Sequence, residues 1–251
     1  TSQFLGDLDE YQNFRYFEET IAHLERLFDV RPRVVVSDLH PNFRTTRYAQ
    51  KLGLPHLQVQ HHYAHVLAVL LEHQIPDGKK VLGVAFDGYG YGQDGGAWGG
   101  EFLLSDYSSY TRLAHLKPVP LPGGDRAARE PWRMALAYLR EAYGEKVPAL
   151  PCLEKVNPKT RDAVIKMMSS GVSSPLTSSC GRLFDAVAYI SGLAPVEVIR
   201  LHAAGEYPVY FLGFTPGFPY LGGLDPRLAC PRLETPREFY DALLTLVYRI
   251  L

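Results

Sequence analysis

Cysteine is scarce: Cys152, Cys180 and Cys230 are the only three in 251 residues. They are odd in number and widely spaced, which argues against a disulfide scaffold and a cysteine-based zinc site and suits a reducing cytoplasm. An excess of one charge is also lacking. The net charge is -1, so no basic footprint points to nucleic acid. No apolar run reaches the roughly 18 residues that would predict a membrane span. The first residues, TSQFLGDLDE, show neither a signal-peptide pattern nor an initiator Met, so a start inside a longer protein is expected. Self-similarity at a repeat period is absent too.

What is present is ordinary for a globular chain, 46% hydrophobic and 21% charged, and long enough for one large or two small domains. Phe17, Ile21, Leu24 and Leu27 recur at helical spacing within 14–29. RVVVSD (33–38) reads as a buried strand, FRTTRYAQKLG (43–53) as a helix stopped by Gly53, and HLQVQ (56–60) as a second strand. A helix from HHYAH to about Gln74 and a third strand at 79–88 follow. This alternation predicts a parallel or mixed sheet with helices packed on it. AWGGEFLLSD and SYTRLAHLKPV read as antiparallel strands, and three helices follow: AREPWRMALAYLREAYG, PKTRDAVIKMMSSG and CGRLFDAVAYISG. Near Ala194 the texture changes. VEVIRLHAAGEYPVYFLGF reads as strand, FTPGFPYLGGLDPRLACPRLETPR as turns, and EFYDALLTLVYRIL as a short amphipathic helix.

Chemistry concentrates in two places. His61 and His65 stand four apart, so a helix projects both from one face. Two imidazoles so placed share a metal ion or simply cap and decorate a helix; Asp87, expected at the end of a strand, is a natural third ligand. Two imidazoles and a carboxylate suit Zn²⁺ or Fe²⁺ and leave positions open for substrate or water. His62 faces elsewhere and reads as incidental. The second place is DGYGYGQDGGAWGGE, with seven glycines in fifteen residues, which reads either as an anion-approaching backbone or as a flexible hairpin. In LPGGDRAAREPWRMAL, Gly123, Gly124 and Asp125 precede a helix. Asp125 suits an N-cap, and the alternative is a phosphate loop with Arg126, Arg129 or Arg133 on the anion. Asp185, on an apolar helix, either pairs with Arg182 or meets a ligand hydroxyl. Cys180 reads as a buried thiol.

Six motifs in order, SQFLGDLDEY, VVVSDLHPNFRTTRYA, VQHHYAH, AFDGYGYGQDGGAWGGEF, LPGGDRAAREPWRMAL and SSCGRLFDAVA, make residues 1–194 resemble the Kae1-like domain of hydrogenase-maturation carbamoyltransferases. The resemblance implies an α/β chain with a partial ASKHA (actin/sugar-kinase-like) lobe. It implies carbamoyl phosphate and ATP as substrates, a carbamoyl-adenylate intermediate, and transfer to the C-terminal cysteine of a partner maturation protein (HypE type). It gives His61 and His65 metal-ligand roles and Asp87 a further metal or nucleotide contact. Gly88, Gly90, Gly123, Gly124 and Asp125 fall in nucleotide loops, and Asp185 falls near the ribose. It assigns no catalytic residue here. The family's upstream modules have no counterpart in this sequence. Its later glycine-rich nucleotide loop and metal-completing Asp do not follow Gly192.

Instead, VIRLHAAGEYPVYFLGFTPGFPYLGGLDPRLACPRLETPR resembles the 5-oxoprolinase component also known as allophanate hydrolase subunit 1, of the KipI family. The expected organisation is an incomplete Kae1-like domain (1–194), an incomplete 5-oxoprolinase-type segment (195–237) packed loosely against it, and an unassigned helix (238–251). A natural fusion, a chimeric gene and an assembly error all fit. The leading functional expectation is a metal-dependent carbamoyltransferase without nucleic-acid or membrane partners. The alternatives are a non-catalytic binding module, a protein of the 5-oxoprolinase-component type, and a threonylcarbamoyl transferase acting on tRNA. The near-neutral charge speaks against the last.

Overall fold

Helix α1 (Tyr11–Leu27) forms where apolar side chains recur every three or four residues. Phe14 and Phe17 of that stripe meet the Tyr48 ring edge-on, at centroid distances of 6.4 and 5.3 Å. The computed structural model describes residues 2–212 and 219–228. The expected helix at 238–251, Cys230 and most of the Pro/Gly-rich stretch lie outside the described residues.

Strand β1 (Val35–Asp38), helix α2 (Arg44–Lys51) and strand β2 (His56–Val59) form a crossover unit. β1 and β2 pair in parallel, with Asp38 opposite Val59. Helix α3 (His61–Glu72) starts directly after β2. The expected single sheet is not what forms, because β1 and β2 make a two-stranded sheet of their own. Nor is β1 buried: Val36 is 58% exposed.

A second, five-stranded sheet carries the core. Its strands are β3 (Val81–Tyr91), β4 (Ala97–Ser105), β5 (Tyr110–His115), β6 (Val119–Pro120) and, after the helices, β7 (Leu176–Thr177). β4 is central, pairing antiparallel with β3 and β5 and parallel with β7. α3 lies on one face of β3 and β4, where Tyr63, Val66 and Leu70 pack with the fully buried Leu103. Gly83 permits that approach, since a Cβ there would stand 2.4 Å from Val66. The other face of β3 shows Leu82, Val84 and Phe86, each more than half exposed.

The helical segment is α4 (Asp125–Arg129), α5 (Trp132–Tyr143), α6 (Pro151–Glu154), α7 (Pro158–Ser170), α8 (Cys180–Ser191) and α9 (Pro195–Ala203). AREPWRMALAYLREAYG is therefore two helices. Glu130 precedes Pro131 and takes φ -123°, ψ 76°, because the proline ring disfavours helical backbone just before it. α5 and α8 cover the sheet, burying Met134, Ala137, Tyr138 and Ala186 against Ala97 and Val119. Each large apolar side chain so buried contributes roughly 1.5–3 kcal/mol.

Residues 195–203 are helical, not strand. Proline at the first helical position and an unbroken apolar stripe outweigh the β-branched composition. Nor does α9 pack loosely, as Val198 and Leu201 are buried with Ala188 of α8 and Leu228. Strands β8 (Val209–Leu212) and β9 (Pro219–Leu221) then pair antiparallel, and a 3-10 turn spans Pro226–Leu228.

Candidate metal centre

The site is built at the junction of the two sheets. α3 is capped by Gln60, whose side-chain oxygen accepts from the Tyr63 N–H, so the His61–His65 turn is fixed at its first residue. From the other sheet comes Asp87. It does not end a strand: β3 continues to Tyr91, and Asp87 sits in a bulge. Phe86 pairs with Gly100 and Gly90 with Trp98, so Asp87, Gly88 and Tyr89 face Gly99 alone. A bulge re-aims side chains, and here it directs the carboxylate at the histidines.

His61, His65 and Asp87 converge, their ligand atoms all within 4.8 Å of one another. His61 Nε2 lies 3.0 Å from Asp87 Oδ2, His65 Nε2 lies 3.2 Å from His61 Nε2, and His65 Nε2 lies 3.7 Å from Asp87 Oδ2. Donors at about 2.0–2.1 Å from one tetrahedral ion stand about 3.3 Å apart. The three residues therefore fit a shared divalent cation, with coordination positions to spare.

Sequence reasoning missed Asp38. Its Oδ2 accepts from His61 Nδ1 at 2.8 Å, and its Oδ1 from the His40 N–H at 2.8 Å. A carboxylate behind a histidine fixes which ring nitrogen is free, the usual arrangement behind a metal-bound imidazole. Burial opposes ionisation of Asp38, yet the His61 and His40 hydrogen bonds hold its pKa below the ordinary value. His61 is raised, first by the Asp38 hydrogen bond and against burial. The signal lay in the parallel pairing: the end of β1 must lie beside the end of β2, where HHYAH begins.

His62 is not incidental. It is fully buried, burial pushes its pKa down to about 4, and its Nε2 lies 3.8 Å from Asp87 Oδ2.

The glycines act first as spacers. A Cβ on Gly90 would stand 2.4 Å from the His62 ring, one on Gly99 2.6 Å from the Asp87 carbonyl, and one on Gly181 2.8 Å from Gly88. Ser179, the cap of α8, pins the bulge, its Oγ donating toward the Asp87 and Gly88 carbonyls at 2.9 and 2.8 Å. Beneath lies Glu101, fully buried. It accepts from the Gly99 and Gly100 N–H groups, from Ser178 Oγ and from Arg112 Nε at 2.6 Å. Burial works against its charge, but these donors prevail and its pKa is lowered.

Gly123 and Gly124 take positive φ, +88° and +55°. Gly124, not Asp125, is the N-cap of α4; Asp125 is the first helical residue and makes no capping bond. Its charge acts to raise the pKa of both His40 and Tyr89, behind the larger effect of burial. Arg126 and Arg133 are both engaged by Glu130, at 2.6 and 2.7 Å. Asp185 pairs with Arg182 at 2.9 Å, but off the axis of a hydrogen bond, leaving Oδ2 without one. Burial raises its pKa against the pull of Arg182. The Cys180 thiol is buried and pushed up to about 11, which makes it a poor nucleophile.

Residues 1–72 match the HypF Kae1-like domain, and residues 83–204 match the second subdomain of the carbamoyltransferase Kae1-like domain. Residues 175–242 match subdomains C and D of the carboxyltransferase domain. Carbamoyltransferase HypF of Rhizobium leguminosarum bv. viciae is 44% identical over 206 residues, 82% of this chain and 26% of that protein. The crystal structure of full-length HypF in its phosphate- and nucleotide-bound form superposes with TM-score 0.71 at 36% identity, over 84% of this chain and 35% of that one. A 5-oxoprolinase component of Bacillus subtilis is 57% identical over 58 residues, 23% of this chain and 24% of that protein. The chain thus spans about a quarter of the length of the HypF relative. Through the Kae1-like domain that makes up most of its length, the chain belongs to the HypF carbamoyltransferase family.

Proposed function

We propose that this chain is the metal-binding lobe of a carbamoyltransferase of hydrogenase maturation. The observation that carries the reading is the convergence of His61, His65 and Asp87, with Asp38 behind His61, on a chain of this family. The pair α3 and β3 holds a divalent cation, Zn²⁺ or Fe²⁺. Bound there, the cation supplies positive charge next to a phosphoryl or carbamoyl oxygen. The glycine bulge at Gly88 and Gly90, the Gly123–Gly124–Asp125 turn and Asp185 bind the nucleotide portion of a carbamoyl-adenylate made from carbamoyl phosphate and ATP. The acceptor is the C-terminal cysteine of a HypE-type maturation protein in the cytoplasm. Among the described residues, no helix is long and apolar enough to cross a membrane.

The test has two arms. Elemental analysis should find about one divalent metal per wild-type chain and none after His61→Ala/His65→Ala; equal content in both would sink the metal assignment. Carbamoyl transfer from carbamoyl phosphate and ATP to the partner's cysteine should not be sustained by this chain alone. Misplaced substrate forfeits several kcal/mol of rate advantage, and most of the relatives' length is outside this chain. Robust turnover would overturn that expectation.

The match to the 5-oxoprolinase component favours a second reading, a non-catalytic binding module that keeps two partner surfaces. Metal content together with ATP hydrolysis separates the two, because a binding module needs neither.

A further inference from the structure

His62 is the one histidine of HHYAH that the metal reading leaves without a role, yet it is the most buried of the three. Its tautomer follows from its neighbours. The Tyr63 backbone N–H can only donate, so the Gln60 atom 3.0 Å away is the carbonyl oxygen Oε1. The other end of Gln60 is then its NH₂ group. The Tyr91 carbonyl, which can only accept, lies 3.1 Å from that nitrogen and independently requires the same orientation. The Gln60 NH₂ group also lies 3.1 Å from His62 Nδ1 and donates to it. Nδ1 is therefore the acceptor nitrogen, and the ring proton sits on Nε2.

That Nε2–H is buried and has no hydrogen-bond partner. A buried donor left unpaired is destabilising, so this one calls for a compensating role. The group it faces is the Asp87 carboxylate, 3.8 Å away. Gly90 makes room for the ring in this position, since any Cβ there would collide with it.

We infer that His62 is a positioning residue: its Nε2–H, fixed by Gln60, orients the Asp87 carboxylate toward His61 and His65. Asp87 Oδ1 is already tied to the Gly88 N–H at 2.6 Å and Oδ2 meets His61 Nε2 at 3.0 Å, so the His62 N–H is a second, buried donor that biases the Oδ2 side. The inference rests on the metal reading of the site, and it adds that the middle histidine tunes ligand geometry without being a ligand.

The experiment uses the full chain and has two readouts. Long-range ¹H–¹⁵N spectra, with His62 assigned by comparison with His62→Gln, should show the Nε2–H tautomer in metal-free wild type. Competition titration with Zn²⁺ then compares His62→Gln, whose amide nitrogen takes the place of Nε2, with His62→Asn, whose shorter amide takes the place of Nδ1. Gln should keep zinc affinity within a few-fold of wild type, and Asn should lose about 10–100-fold, the range for removal of a residue supporting a metal ligand. Both variants are polar and close in size, and the tautomer is read on wild type, so the outcome does not depend on one variant folding. An Nδ1–H tautomer, or His62→Asn binding zinc as wild type does, overturns the positioning role. Wild type that binds no zinc while showing Nε2–H on His62 overturns the metal reading and leaves the orientation of His62 supported.

Discussion

Asp38 of β1 and Asp87 of β3 meet on opposite nitrogens of a single ring, the His61 imidazole, at 2.8 and 3.0 Å. A carboxylate only accepts, so the Nδ1 contact puts a proton on that nitrogen. The Nε2 contact then holds either a second proton or a metal ion. Proton and cation compete for one lone pair.

The competition has a definite pH sign. The His61 pKa is raised, so its Nε2 proton persists above the ordinary histidine value of about 6.5. Zinc affinity should therefore begin to weaken while the pH is still above that value and keep falling on acidification. Asp38→Asn should move the onset of weakening to lower pH. An affinity flat across that window would refute the shared-site argument. Without metal the linkage runs the other way. A raised folded-state pKa gives stability that is complete below the unfolded value and is lost as pH rises through the folded one. The metal-free chain should lose the His61 contribution as the pH rises above the ordinary histidine value and through the raised one.

His62 has the opposite sign. Its pKa is down at about 4, so its neutral burial stabilises fully above about pH 6.5 and the contribution is lost as pH falls toward 4. The shift corresponds to about 3 kcal/mol. Urea unfolding of wild type and His62→Gln at neutral and mildly acidic pH should show the wild-type advantage shrinking on acidification. A constant difference would mean that His62 is not held neutral.

Gly90→Ala should disrupt the centre through crowding alone. The added methyl meets the His62 ring at 2.4 Å and the His61 side chain at 2.9 Å. Overpacking of this kind costs about 1–3 kcal/mol. Lower stability together with weaker zinc binding is the expected pair of effects. Normal zinc binding would show that the bulge gives way without disturbing the histidines.

Glu101→Gln keeps the shape of the side chain and removes its charge. Arg112, stacked 3.8 Å over Trp98, would lose the carboxylate that engages its Nε. Removing one partner of a buried ion pair costs about 3–5 kcal/mol. Because Glu101 also anchors Ser178 and the Gly99 and Gly100 amides next to the bulge, chemical denaturation and metal binding should weaken together. A change below about 0.5 kcal/mol, the ordinary range of surface substitutions, would contradict the network.

The convergence of His61, His65 and Asp87 and most elements were legible in the sequence for local reasons. The His61–His65 spacing survives any tertiary arrangement, and Gly53, Gly171 and Gly192 mark helix ends by backbone conformation. Asp38, Glu101 and the role of His62 were not legible, because each depends on a partner supplied by another element. The 196–203 segment misled because Val196, Val198 and Ile199 suit a strand by composition, while Pro195 and the α8 surface select a helix. Asp87 was placed correctly beside the histidines for an incorrect reason, since a bulge within β3, and not the end of a strand, turns it inward.

The two sheets share no strand pairing among the described residues; α3 and the His61 ring join them. An ion bound at that ring would act as a clasp across a seam. Its affinity would depend on how the crossover unit is set against the five-stranded sheet, and by reciprocity the ion would bias that setting. Any ligand that draws the two parts together should tighten metal retention, and metal off-rates would then report closure of the lobe without a probe on either part.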